Sequence, residues 1–146
     1  LAGIKHCNRL EQILARAEWD DPDIDEGLMR DTGGDAIAAT AANLFVLRDG
    51  RWWTSPVDRC GIAGVCRGWA LRTWSAGERR LNADEVETAD AVILCNAVRG
   101  ILPVARLGHR FWSPHPAVAE ALRSLAAAHP AFTDSDPIRH MQEGVP

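Results

Sequence analysis

Leu10, Ile13, Leu14 and Ala17 recur at the three- and four-residue spacing of one helix face, with Glu11, Arg16 and Glu18 elsewhere around the wheel. This pattern predicts an amphipathic helix over 8–19 with Asn8 as its N-cap. The acidic stretch 20–25 holds Pro22, which cannot prolong it. Residues 26–31, the turn Thr32-Gly33-Gly34-Asp35 and residues 36–39 read as a strand, a turn and a returning strand. The apolar run 43–47 and the run 52–55 are joined by Arg48-Asp49-Gly50-Arg51, and Asp-Gly between two such runs predicts a hairpin. Along its second strand, Trp52 and Trp53 must face opposite sides.

Gly61, Gly64 and Gly68 lie around the start of a segment with Val65, Trp69 and Leu71 or Arg72 at helical spacing, so a glycine-containing loop leads into a helix ending near Gly77. Asn82 followed by Glu85 resembles a capping box opening a short helix. Residues 91–95 form a continuous apolar run of the buried-strand kind. Residues 101–105 and 110–112, joined across Leu107-Gly108-His109, predict another hairpin. After Pro114 and Pro116, the stripe Val118, Ala121, Leu122 and Leu125 marks a core-facing helix that stops near His129. The domain is expected over 1–132, with a loose, polar tail over 133–146. These elements make one mixed α/β domain, with strands both paired in hairpins and separated by helices.

Composition narrows the partners. The 146 residues are 47% hydrophobic and 25% charged with a formal net charge of -4, which fits a folded core and offers no cationic footprint for nucleic acid. No run approaches the roughly 20 apolar residues that a membrane helix needs. The chain opens on Leu1 without a secretory leader, and a truncated or processed chain is expected. Cys7, Cys60, Cys66 and Cys95 form no C-x-x-C pair, so reduced thiols in a cytosol are expected. His6, His109, His115, His129 and His140 show no ligand spacing beside a carboxylate, and no metal site is expected. Arg67, Arg79 and Arg80 are expected to be solvated.

The run Leu1-Ala2-Gly3-Ile4-Lys5-His6-Cys7-Asn8-Arg9-Leu10-Glu11-Gln12 carries a more specific signal. Together with Ala42-Asn43-Leu44-Phe45, Gly61-Ile62-Ala63-Gly64-Val65-Cys66-Arg67 and Cys95-Asn96-Ala97 leading to Leu102-Pro103-Val104, it resembles the 4-amino-4-deoxychorismate lyases. Those are fold-type IV pyridoxal-phosphate enzymes, and four ordered motifs carry the likeness over about residues 1–132. The resemblance implies the C-terminal domain of that fold, which is similar to D-amino acid aminotransferase, with the N-terminal domain absent and the fragment inactive alone. It also implies a cytoplasmic homodimer acting in folate biosynthesis on the small molecule aminodeoxychorismate, yielding p-aminobenzoate and pyruvate.

On that resemblance Lys5 carries the cofactor and is the catalytic residue. Only a neutral amine attacks an aldehyde, and desolvation favours the neutral form, so a buried lysine is expected. Freed by the substrate amine, it can act as a general base. Val65 and Cys66 are the expected backbone donors to the cofactor phosphate at a helix start. By resemblance Asn96 and Ala97 form the other wall of that cup, where many similar enzymes have a hydroxyl that Ala97 lacks. Ala38 stands where much of fold type IV has a glutamate pairing with the pyridine nitrogen. A fold-type IV aminotransferase acting on D-amino or branched-chain amino acids is the alternative activity, and a non-catalytic domain the third reading.

Overall fold

The computed structural model describes residues 1–133 and 141–143. A hub strand, β3 (Asn43–Arg48), organises the molecule. It pairs antiparallel with β4 (Arg51–Thr54), with β6 (Ala91–Asn96) and, at its first residue, with β2 (Ala36–Ala39). Beyond β2 the sheet continues through β1 (Glu26–Arg30), β10 (Met141–Glu143), β8 (Arg106–Leu107) and β9 (Arg110–Phe111). β5 (Gly77–Glu78) lies parallel to β4, and β7 (Gly100–Pro103) antiparallel to β6.

Alternation along β3 and β6 divides the core in two. Leu44, Val46, Val92 and Leu94 face one cluster with Leu28, Val86, Leu107 and Met141. Phe45, Leu47, Ile93 and Cys95 face the other, which is covered by α2 (Val65–Thr73) and α4 (Pro116–Ala128). Both faces of these strands are therefore buried, which is why their sequences are continuously apolar. Trp52 enters the second cluster and Trp53 packs on the first, as the pleat requires.

Several expectations match the structure. The β3–β4 hairpin turns through Asp49 (φ 51°) and Gly50 (φ 72°), the left-handed pair that suits a two-residue connection. The Asn82 side chain accepts from the Glu85 amide while the Glu85 side chain accepts from the Asn82 amide, opening α3 (Ala83–Glu87). Val118, Ala121 and Leu125 are buried along α4.

Others are corrected. The first helix, α1, runs only over Leu10–Arg16 with Arg9, not Asn8, at its N-cap. Trp19 leaves the helix line and docks on β1, its indole N–H donating to the Ile24 carbonyl at 3.2 Å. The apolar stripe of α1 is not covered by the described residues: Leu10, Ile13 and Leu14 are 60%, 63% and 60% exposed. α2 stops at Thr73, and Gly77 opens β5, where a Cβ would lie 2.3 Å from the Trp53 ring. Residues 101–103 pair with β6 rather than with 110–112, because β6 offers a longer buried partner; the small hairpin joins β8 to β9 across Gly108. Arg67 is buried, its Nη2 donating to the Ser55 carbonyl at 2.9 Å and to Glu78. The tail does not stay loose at Met141–Glu143, which forms β10 between β1 and β8 with Met141 fully buried. Residues 134–140 and 144–146 lie outside the described residues.

Candidate functional site

The expected site residues come from separate places in the chain, and backbone bonds draw two of those places together. The Gly3 amide donates to the Gly61 carbonyl and the Ala63 amide donates to the Gly3 carbonyl, both at 3.0 Å, so the segment carrying Lys5 is stitched to the loop before α2. Two residues beyond this anchor, the Lys5 Cα is at most about 7 Å from that of Gly3. Lys5 itself is exposed, and among the described residues it makes no hydrogen bond or ion pair. The expected burial of Lys5 is therefore absent in this chain. His6, next to it, has its Nδ1 buried without a hydrogen-bond partner among the described residues.

At the start of α2, Gly64 is the N-cap; no side chain caps the helix and no acidic residue sits in its first turn. The first amides of a helix have no intrahelical acceptor, so those of Val65 and Cys66 remain available to an anion at the positive end of the helix dipole. Val65 is 80% exposed and Cys66 is buried. Asn43 positions this end: its Nδ2 donates to the Ile62 carbonyl at 2.8 Å, and its Oδ1 lies where a Cβ on Gly64 would come within 2.2 Å. Only glycine lets the helix start approach β3 so closely. The Cys66 and Cys95 thiols meet beneath it. Their mutual hydrogen bond holds Cys66 below its ordinary pKa against the opposing effect of burial, and the same bond with burial pushes Cys95 well above.

Asn96 and Ala97 stand across β3, at the end of β6. The Asn96 Nδ2 donates to the Ala41 carbonyl (3.2 Å), and its Oδ1 accepts the amides of Val98 (3.0 Å) and Arg99 (2.7 Å). The Asn96 side chain thus shapes the turn and is not free for a ligand, whereas Ala97 is exposed. Ala38 pairs with Asn43 across β2 and β3, which places the position lacking a carboxylate directly beside the residue that fixes α2.

Asn43, in the Ala42-Asn43-Leu44-Phe45 motif, is a functional residue whose sequence signal is a polar side chain at the start of an apolar strand. Glu26 was also missed. It alternates with Ile24 and Leu28, all three buried, and a carboxylate on an inward-facing position is a readable anomaly.

The branched mixed sheet with its covering helices has the fold of the fold-type IV aminotransferases and lyases. Residues 1–107 match the amino-transferase class IV family, and the chain belongs to it. An aminodeoxychorismate lyase of Vibrio harveyi is 34% identical over 110 residues, 72% of this chain and 41% of the relative. The branched-chain-amino-acid aminotransferase-like protein 2 of Arabidopsis thaliana is 29% identical over 96% of this chain and 26% of its own length. The crystal structure of 4-amino-4-deoxychorismate lyase from Pseudomonas aeruginosa superposes with a TM-score of 0.84 at 37% identity, covering 88% of this chain and 50% of that one. The chain thus spans half or less of the length of these relatives. No helix among the described residues is long and apolar enough to cross a membrane.

Proposed function

We propose that this chain is the cofactor-binding half of a pyridoxal-phosphate enzyme that converts 4-amino-4-deoxychorismate to p-aminobenzoate and pyruvate, working as a cytoplasmic homodimer. The observation that carries this reading is the pinning of the Lys5 segment, through Gly3, to the loop that opens into the bare amides of α2. The donor set fits the group: an amine with no competing partner, and an uncapped helix start without a carboxylate to repel a phosphate. The lyase relatives at 34% and 37% identity support the choice of reaction.

Bound pyridoxal phosphate supplies an aldehyde and an electron-withdrawing ring. Lys5 would hold the aldehyde through its Nζ, and the Val65 and Cys66 amides would take the phosphate, with Ala97 on the facing wall. Once a substrate amine replaces it, the Lys5 Nζ can remove the proton from the substrate carbon that bears nitrogen. Lys5 is exposed in this chain, so the second half of the enzyme would cover it and exclude water from the reacting carbon.

The aminotransferase reading is favoured by the plant relative, which matches 96% of this chain. Ala38 weighs against it, because amino-group transfer draws on a protonated ring nitrogen, whereas aromatisation of the lyase product lessens that need. The test is to mix the full-length protein with aminodeoxychorismate and follow p-aminobenzoate fluorescence alongside amination of a keto acid. Release of p-aminobenzoate supports the lyase; dominant amino transfer installs the aminotransferase. Neither product, with no borohydride-reducible adduct at Lys5, leaves the non-catalytic domain. In the same assay Ala38→Glu is expected to leave lyase turnover within about threefold and to raise side transamination. A strong rise in lyase turnover would overturn the account of Ala38.

A further inference from the structure

Side chains from four parts of the chain meet at the connection between β2 and β3. The Glu26 carboxylate is 3% exposed. It accepts the Thr40 hydroxyl at 2.5 Å, the Ala41 amide at 3.3 Å and Arg99 Nη2 at 2.7 Å. Arg9 Nη2 donates to the Thr40 carbonyl at 3.0 Å, and its Nε to Gln12 at 2.9 Å. A buried carboxylate is tolerated only when paired and hydrogen-bonded, and Glu26 has three donors. Arg99 pairs directly with this carboxylate, while Arg9 reaches the Thr40 carbonyl beside it and lies near Glu11.

Arg99 is the member with capacity to spare. Its only hydrogen-bond partner for the side chain among the described residues is Glu26, at Nη2, and the side chain is 42% exposed. The charge-assisted bond fixes the guanidinium plane while Nε and Nη1 stay open to a ligand. Its backbone is fixed as well, through the Arg99 amide on Asn96 Oδ1 at 2.7 Å. A guanidinium held this way loses little further freedom on binding and matches a planar carboxylate.

The Lys5 segment links this cluster to the phosphate end. It is anchored beside α2 at Gly3 and, through Arg9, at Thr40. The Lys5 backbone thus lies between an anchor at the loop before α2 and an anchor at Thr40, whose hydroxyl shares the Glu26 carboxylate with Arg99. We propose that Arg99, oriented by Glu26, binds a carboxylate of the substrate and sets the specificity for an anionic one. This assignment rests on the functional reading above.

The test uses the full-length protein with two probes of nearly equal shape, 4-aminobenzoate and the uncharged 4-aminobenzamide, and a separate absorbance titration of pyridoxal phosphate. Arg99→Met is expected to weaken 4-aminobenzoate on the order of 10–100-fold, the loss of a charge-assisted contact, while 4-aminobenzamide and cofactor affinity stay unchanged. Arg99→Lys should recover part of the loss, and Glu26→Gln should shrink the preference for the acid without touching the amide. Equal losses for both probes, or no loss for either, overturn the assignment. A loss confined to the cofactor titration also overturns it, because Arg99 would then serve the phosphate. Failure of the wild-type protein to take up cofactor sinks the functional reading and this assignment with it; normal uptake with unchanged discrimination sinks the assignment alone.

Discussion

Lys5→Ala in the full-length protein is expected to remove the borohydride-reducible cofactor adduct altogether and to lower p-aminobenzoate formation by at least about 10²–10⁴-fold, the usual contribution of a positioned acid–base group. The expectation comes from a backbone constraint. Gly3 is held to Gly61 and Ala63, so the chain at residue 5 cannot drift from the start of α2. Alanine keeps that backbone and removes only the amine. Because Lys5 is exposed and forms no bond among the described residues, the same change should move folding stability by no more than about 0.5 kcal/mol. Mass spectrometry after reduction and a thermal melt on the same sample separate the two effects. An adduct surviving in the variant would mean that another amine carries the cofactor.

Gly64→Ala should produce the second largest change, in stability and cofactor affinity together. A Cβ there would sit 2.2 Å from Asn43 Oδ1, and Asn43 cannot turn away without releasing the Ile62 carbonyl that its Nδ2 holds at 2.8 Å. Overpacking of this kind costs about 1–3 kcal/mol. Tilting the first turn of α2 also misaims the Val65 and Cys66 amides, and losing one such contact to a phosphate weakens binding by roughly tenfold. Gly68→Ala, four residues on in the same helix, is the control. Its Cβ would meet only the flexible end of Arg72 at 3.4 Å, and alanine in a helix interior is worth about 0.5–1 kcal/mol over glycine. Urea unfolding and cofactor titration of the two variants should therefore move in opposite directions in stability. If both behave alike, the Asn43–Gly64 joint is not what sets the helix start.

Local chemistry wrote much of this protein plainly. Asp49-Gly50 set a hairpin because two adjacent left-handed residues leave the chain few other paths. Asn82 and Glu85 set a helix start because their side chains answer amides three residues away. The runs at β3 and β6 showed two-sided burial because neither face has a polar position to give to water. The Lys5 segment, the glycine loop before Val65 and the Asn96-Ala97 turn were legible only through their resemblance to a known family, because a lone lysine or a pair of glycines is ordinary surface chemistry taken by itself.

What the linear order withheld was the pairing of distant pieces. Residues 101–103 joined β6 because a buried antiparallel partner outweighed a local turn, and Met141 entered the sheet because β1 and β8 left a slot between them. The stripe on α1 announced an apolar side without saying what covers it, and among the described residues nothing does. Arg67 read as an ordinary solvated charge until the fold supplied Glu78 and Ser55, and the partners of Glu26, Thr40 and Arg99, lie 14 and 73 residues away along the chain. The sequence alone determined which segments could hold a phosphate and an aldehyde. Only the tertiary structure decided that the Gly3 segment meets the loop that Asn43 holds, and that Arg9, Glu26 and Arg99 gather around Thr40, because a buried charge is stable only where long-range folding brings its counter-charge.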